Sequence, residues 1–211
     1  MDRRRLLTLQ QEQEGLPPLV HYSSKNGFES DLSGNGVVLN RIGGTIDDDG
    51  TLHLNAGSYN YAYISLKPLG IVSDGKHTIE FKFSFPADVF SVNASYAKWI
   101  FTPSVSTSIQ NGWNYSMIVG AVAVDAIKVL GDKITATEAS PGFQKDILYT
   151  LRYNYNAGVI RLSINDAIFD FVKAYEPDIA LFGKTIHNST FTTYIPEMNI
   201  HSIKIWRETT S

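Results

Sequence analysis

From His77 to Phe85 the apolar residues Ile79, Phe81, Phe83 and Phe85 alternate with Thr78, Glu80, Lys82 and Ser84. Successive side chains of a strand point to opposite faces, so this run predicts a strand with one buried and one wet face, ended by Pro86. Leu148 to Tyr155 and Val159 to Ile164 predict two more strands, joined through Asn156-Ala157-Gly158, whose glycine accepts the positive φ of a tight hairpin. A turn at Asn165-Asp166 leads into Ala167 to Phe171, and Ile200 to Trp206 supplies a closing strand. Met117 to Val124 is continuously apolar, as in a central strand covered on both sides. In Tyr59-Asn60-Tyr61-Ala62-Tyr63-Ile64-Ser65-Leu66 the three tyrosines share one face, and Ala62, Ile64 and Leu66 take the core.

The amino terminus follows a different pattern. Residues 2 to 14 predict a short helix that Asp2 caps, with Leu6 and Leu9 on one face, Gly15 as a stop and Pro17-Pro18 forbidding continuation. The chain therefore divides into a helical arm over residues 1 to 18 and one β domain over 19 to 211. Arg3, Arg4 and Arg5 open this segment as in a secretory signal, but Gln10 to Glu14 replace the apolar stretch that a signal needs. No run approaches the roughly 18 apolar residues of a membrane helix.

Composition narrows the chemistry. With 18 basic and 21 acidic side chains the net charge is -3, so no chain-wide field draws nucleic acid or anionic lipid, and neither is expected as a partner. The absence of cysteine removes disulfides, thiolate catalysis and Cys-ligated zinc together. Eleven Phe, eleven Tyr and three Trp provide for a sizeable core, in which Trp99 and Trp206 are expected.

Three stretches carry a resemblance. Asp31-Leu32-Ser33-Gly34-Asn35-Gly36, then Gly43-Gly44-Thr45 and Asp49 to Tyr59, form an opening; Ile147 to Phe171 a central hairpin, with Asn165-Asp166-Ala167 where Asn-Gly is usual; Phe182-Gly183 and Met198 to Arg207 a close. In this order they resemble the concanavalin A-like lectin/glucanase superfamily, the laminin-G-like jelly roll. The resemblance implies an all-β, two-sheet antiparallel sandwich over about residues 20 to 207, and the period-two alternation puts Phe81, Phe83, Ile160, Leu162 and Ile203 inside it. It also implies membership of a group that holds glycosidases, lectins, adhesion modules and virion proteins.

Glucanases of that superfamily carry spaced carboxylates on one strand, and no such triplet occurs here. The nearest spacings, Glu29-Ser30-Asp31 and Glu176-Pro177-Asp178, fall in a loop and beside a proline. Glycosidase activity is therefore not expected. No Gly-x-Ser-x-Gly elbow and no phosphate-binding glycine loop is present, and the five histidines lack metal-ligand spacing. Asp47-Asp48-Asp49-Gly50 reads as a solvated hairpin turn, because calcium loops place carboxylates at alternate positions. Asp31, Ser33 and Asn35 offer oxygens to calcium, the one cofactor candidate, although a tight turn uses the same residues.

Sugars pack C-H faces on aromatic rings and need amide or carboxylate partners for their hydroxyls. Tyr59, Tyr61, Tyr63, Trp113, Asn114 and Tyr115 are the glycan-binding candidates on that ground, and covering the ends of the sandwich is the alternative role of these rings. A helix of about 13 residues is marginal alone, so Arg3, Arg4, Arg5, Leu6 and Leu9 are expected to dock the arm on another subunit. The reading is a non-catalytic, lectin-like phage virion component, in the head or tail, within a homo-oligomer or larger assembly, that takes glycans. A glycoside hydrolase and a secreted or bacterial surface lectin are the alternatives.

Overall fold

The computed structural model describes residues 16–56, 60–70, 76–87, 98–104, 118–123, 126–130, 136–139, 143–172, 177–183 and 196–207. In chain order the strands are β1 (Val20–Ser23), β2 (Asn40–Ile42), β3 (Thr45–Ile46), β4 (Leu52–Leu54), β5 (Tyr61–Ser65), β6 (Lys76–Ser84), β7 (Lys98–Ser104), β8 (Ile118–Ala123), β9 (Ala126–Leu130), β10 (Ala136–Ala139), β11 (Tyr149–Asn156), β12 (Val159–Ile164), β13 (Ala167–Val172), β14 (Ile179–Phe182) and β15 (Met198–Arg207). The first sheet runs β13-β12-β11-β6-β15-β4-β3, with β1 also on β15, and the second runs β10-β9-β8-β7-β14-β5-β2. Each strand pair is antiparallel, which makes this the expected all-β jelly-roll sandwich. The expected helix over residues 2 to 14 lies outside the described residues.

The alternation in β6 fixes the layers. Ile79, Phe81, Phe83 and Phe85 are fully buried between the sheets. Phe81 reaches Phe182 of β14 at 5.0 Å and Phe101 of β7 at 6.3 Å between ring centroids, so aromatic contacts tie the sheets together. Ile160, Leu162 and Ile203 are fully buried as expected, as are Ala62, Ile64 and Leu66.

The turns follow the local chemistry. Ala157 and Gly158 both adopt positive φ, 46° and 88°, as a two-residue hairpin between right-twisted strands requires. Asn165 does the same at 49°, and its side-chain oxygen accepts from the Thr150 amide at 2.8 Å. The three aspartates before Gly50 form the exposed turn between β3 and β4, where the Gly50 amide donates to the Asp47 carbonyl at 2.8 Å. A Cβ on Gly50 would run into the Ser24 carbonyl oxygen, so glycine lets this turn pack against the loop after β1.

One core expectation changes. Trp206 is only half-buried, because β15 pairs with β6 through an irregularity between Ile200 and Ser202. That extra residue reverses the alternation, so Ile203 and Ile205 point inward and Lys204 and Trp206 outward. Trp99 lies in β7, and residues 118–123 of the expected apolar strand form β8, between β9 and β7; the side chains of Trp99 and β8 lie outside the described residues, as do Met117 and Val124.

His77, at the end of the buried β6 row, stacks on Tyr155 at 5.3 Å and packs beside Tyr153 at 5.8 Å. Among the described residues neither ring nitrogen has a hydrogen-bond partner, and burial pushes the pKa down to about 4. The unfolded chain takes up a proton below about pH 6.5 and the fold refuses it until about pH 4, so stability falls as pH falls across that window. The loss approaches roughly 3 kcal/mol by pH 4. His77→Phe should flatten most of this acid limb in urea denaturation run at pH 7 and pH 4, leaving smaller contributions from His21 and His201, whose pKa values burial also lowers. An unchanged pH 7 to pH 4 difference would mean that His77 is protonated in the fold.

Candidate functional site

The outward face of the first sheet is built by the same alternation that builds the core. Its registers set His21 of β1, Lys204 of β15, Glu80 of β6 and Arg152 of β11 in one row across four strands. The next row holds Trp206, Thr78, Asn154, Arg161 and Asp170. On the other side lie Ser23, Ser202, Lys82 and Thr150.

Where these rows meet, Glu80, Lys82, Arg152, Lys204 and Trp206 line a half-open recess of about 290 Å3, walled on one side by Leu16 and Pro18. Glu80 is only 4% exposed although it stands on the polar face. A buried carboxylate needs a partner, and Arg152 provides it: Nε and one Nη atom each lie 2.8 Å from the same Glu80 oxygen. Lys82 Nζ lies 3.8 Å from the other oxygen. The Lys204 ammonium sits 5.9 Å from the Trp206 ring centroid, in cation-π range, and the indole Nε1 donates to the Leu16 carbonyl at 3.1 Å. The chain entering the domain is thereby fastened to the wall of the recess. Burial first, then the neighbouring Lys204 charge, hold the His21 pKa below the usual histidine value.

Around the recess the polar face is well paired. The Thr78 hydroxyl donates to the Asn154 side-chain oxygen at 2.7 Å, and Arg161 grips both oxygens of Asp170 at 2.7 Å each. That hydrogen bond from Arg161 holds the Asp170 carboxyl below its ordinary value, against the effect of burial. Further along β15, His53 lies 2.7 Å from the Asn199 side-chain oxygen and 3.2 Å from Glu197, and His201 lies 2.8 Å from the Ser84 hydroxyl.

The sequence-derived candidates fall elsewhere. Tyr61 and Tyr63 lie on the outward face of the second sheet, rings 6.3 Å apart, half-buried against Ile179 and Leu181. They are thus on the opposite side of the sandwich from the recess. Tyr59, Trp113, Asn114 and Tyr115 lie outside the described residues, as do Arg3, Arg4, Arg5, Leu6 and Leu9.

Asp31, Ser33 and Asn35 do come together. Asp31 accepts from the His21 amide at 2.8 Å, the Ser33 amide at 3.0 Å, the Ser33 hydroxyl at 2.7 Å and the Val37 amide at 3.2 Å, which occupies its acceptor directions. Asn35 donates to the Leu19 carbonyl at 3.0 Å. The trio therefore serves the loop that closes the free edge of β1, the tight-turn role open to these residue types. Burial alone would raise the Asp31 carboxyl, but these four donors outweigh it and hold the pKa below the ordinary value.

Sequence reasoning missed the recess, yet one signal for it was present. Met198 and Ile200 are two apart, and so are Ile203 and Ile205, but the two pairs are out of phase. That break marks a bulge and sends Lys204 and Trp206 to the face of Glu80.

No family model matches the chain, and no curated protein matches it by sequence. Among solved structures it is similar to the binding domain of botulinum neurotoxin serotype D, at 13% identity and TM-score 0.61, covering 92% of this chain and 48% of that one. It is also similar to a structure of botulinum neurotoxin type C, whose cell entry depends on interaction with two ganglioside molecules, at 10% identity and TM-score 0.59, covering 92% and 49%. A third likeness is to Trypanosoma rangeli sialidase in complex with a difluorinated keto-deoxy-nononic acid, at 9% identity and TM-score 0.67, covering 91% and 30%. The chain thus spans about half the length of the toxin domains that it matches. At these identities the likeness is one of fold, a lectin-like β-sandwich.

Two substitutions probe the site as built. Arg152→Met should destabilise the domain by about 2 kcal/mol in urea denaturation, below the 3–5 kcal/mol of a fully buried pair because Arg152 keeps contact with solvent. Adding Glu80→Gln should recover most of that loss, and a strictly additive double variant would show that the two side chains are not coupled. Asp31→Asn should lower the urea midpoint at pH 7 and narrow the gap to wild type as pH falls. The wild-type carboxylate stabilises the fold above its unfolded pKa and loses that effect on protonation. A gap that stays constant down to pH 2 would contradict the assignment of Asp31 as the loop organiser.

Proposed function

We propose that this domain is a non-catalytic carbohydrate-binding module whose ligand sits in the recess between Trp206, Lys204, Glu80, Arg152 and Lys82. The observation that carries this reading is a half-exposed indole forming one wall of a recess whose floor is charged and fixed by the sheet. A sugar's C-H face stacks on the indole, while guanidinium, ammonium and carboxylate groups meet its hydroxyls. About 290 Å3 is close to the roughly 300 Å3 lower end of ligand pockets, a size for one sugar residue and not a long chain. The likenesses to a toxin whose cell entry depends on gangliosides and to a sialidase holding a sugar acid favour a saccharide ligand.

Binding is favoured over hydrolysis by the carboxylates. Among the described residues that line the recess Glu80 alone is acidic, whereas glycoside hydrolysis takes a pair, and Glu80 is already held by Arg152. The setting in the proposal is a phage virion, with a bacterial cell surface or secretion as the alternative, and assembly into it runs through Arg3, Arg4, Arg5, Leu6 and Leu9 of the arm. Its support is the sequence of that arm.

Trp206→Ala should weaken binding on an immobilised glycan panel by about tenfold or more while lowering stability by less than about 1 kcal/mol, because a half-exposed ring contributes stacking and little core volume. Phe81→Ala, by contrast, should cost about 3–5 kcal/mol. Unchanged glycan binding by the folded Trp206 variant would move the ligand away from this recess. Deleting residues 1 to 14 should leave a folded sandwich that no longer joins its assembly, as read by sedimentation and partner pull-down. Retained assembly by the truncated chain would end the virion reading and leave the binding module.

A further inference from the structure

The recess has an imbalance of charge that the glycan-binding reading does not use. Lys82, Arg152 and Lys204 face it with three positive charges against the one negative charge of Glu80, in a chain whose net charge is -3. Arg152 is committed to Glu80 through both of its 2.8 Å contacts. Lys82 is 39% exposed and reaches the second Glu80 oxygen only at 3.8 Å. Lys204 has no ion-pair partner among the described residues and rests over the Trp206 ring instead. Lys204 thus stands beside the indole without a counter-ion, and Lys82 lines the same recess with only a long 3.8 Å contact to Glu80.

We propose that the recess takes a saccharide bearing a carboxylate, with the acid between Lys204 and Lys82 and a face of the sugar ring on Trp206. This deepens the glycan-binding reading and rests on it. A carboxylate there forms charge-assisted hydrogen bonds that a hydroxyl cannot match. A neutral sugar of the same shape displaces water from the two ammonium groups and gives them no counter-charge, so the site discriminates against it. Glu80 lines the same recess and lies 3.8 Å from Lys82 and 2.8 Å from Arg152, so it orients both cations and repels an acid that enters in the wrong orientation.

The test is isothermal titration of the full chain with lactose, with lactose capped by N-acetylneuraminate or by glucuronate, and with inorganic sulfate, each at 50 mM and 500 mM salt. At least one capped lactose should bind about tenfold or more tightly than lactose, and the excess should shrink at high salt. Lys204→Met should remove most of the preference, so that this variant binds capped and uncapped lactose within about threefold of each other and with little salt dependence, and Lys82→Met serves if the first variant fails to fold by thermal denaturation. Equal binding of neutral and capped lactose, still dependent on Trp206, would overturn the acid specificity and leave the glycan-binding reading standing. Sulfate binding as tightly as the best capped lactose would overturn it in favour of a plain anion site. Failure of all three saccharides on this panel, together with a blank wider glycan panel, would remove the underlying reading as well.

Discussion

Everything in this domain depends on the contact that Phe81 makes across the gap between the sheets. Phe81 stacks on Phe83 at 4.6 Å along its own strand and meets Phe182 and Phe101 of the opposite sheet. Each such ring removes a large apolar area from water, about 1.5–3 kcal/mol of burial apiece. A strand has only two faces, so committing Ile79, Phe81, Phe83 and Phe85 to this interior commits Thr78, Glu80, Lys82 and Ser84 to the other side. The recess is the reverse side of the core, and neither can shift register by one residue without destroying the other.

This coupling accounts for the position of Glu80. A carboxylate on an ordinary wet face would be solvated, but β6 is flanked by β11 and β15, whose long side chains close over it. The buried charge is tolerated because Arg152 sits directly opposite in the register with β11, close enough for two hydrogen bonds. The bulge in β15 completes the arrangement. Without it Lys204 and Trp206 would face the core, where an ammonium is costly, and Ile203 and Ile205 would face water.

The two outward faces therefore carry different chemistry. On the second sheet, Tyr61 and Tyr63 rest on Ile179 and Leu181 in a small apolar cluster separate from the main core. On the first sheet, cations, one held carboxylate and an indole edge surround a cavity, and the histidines of β1, β4 and β15 continue the polar surface. Tyr61 and Tyr63, which alternation sets on one face, stand on the first of these faces, and the recess stands on the second.

How far the sequence alone reaches can be followed residue by residue. Alternation in β6, β11 and β12 determined the all-β class and the buried positions of Phe81, Phe83, Ile160 and Leu162, because the period of two is a property of the extended backbone and needs no partner. Asn156-Ala157-Gly158 and Asn165-Asp166 determined their turns through φ preferences that are equally local. The pairing of Glu80 with Arg152, 72 positions along the chain, is set by the register between β6 and β11, which no short window contains. The role of Asp31 as the anchor of a loop depends on amides that β1 and the loop bring to it, the His21 amide among them. Trp206 lay between these cases: its phase against Ile203 and Ile205 was readable, but the recess it walls exists only once β6, β11 and β15 stand side by side. Local sterics are written in adjacent residues, whereas a binding recess is a relation between strands, and only the packed sheets bring those strands together.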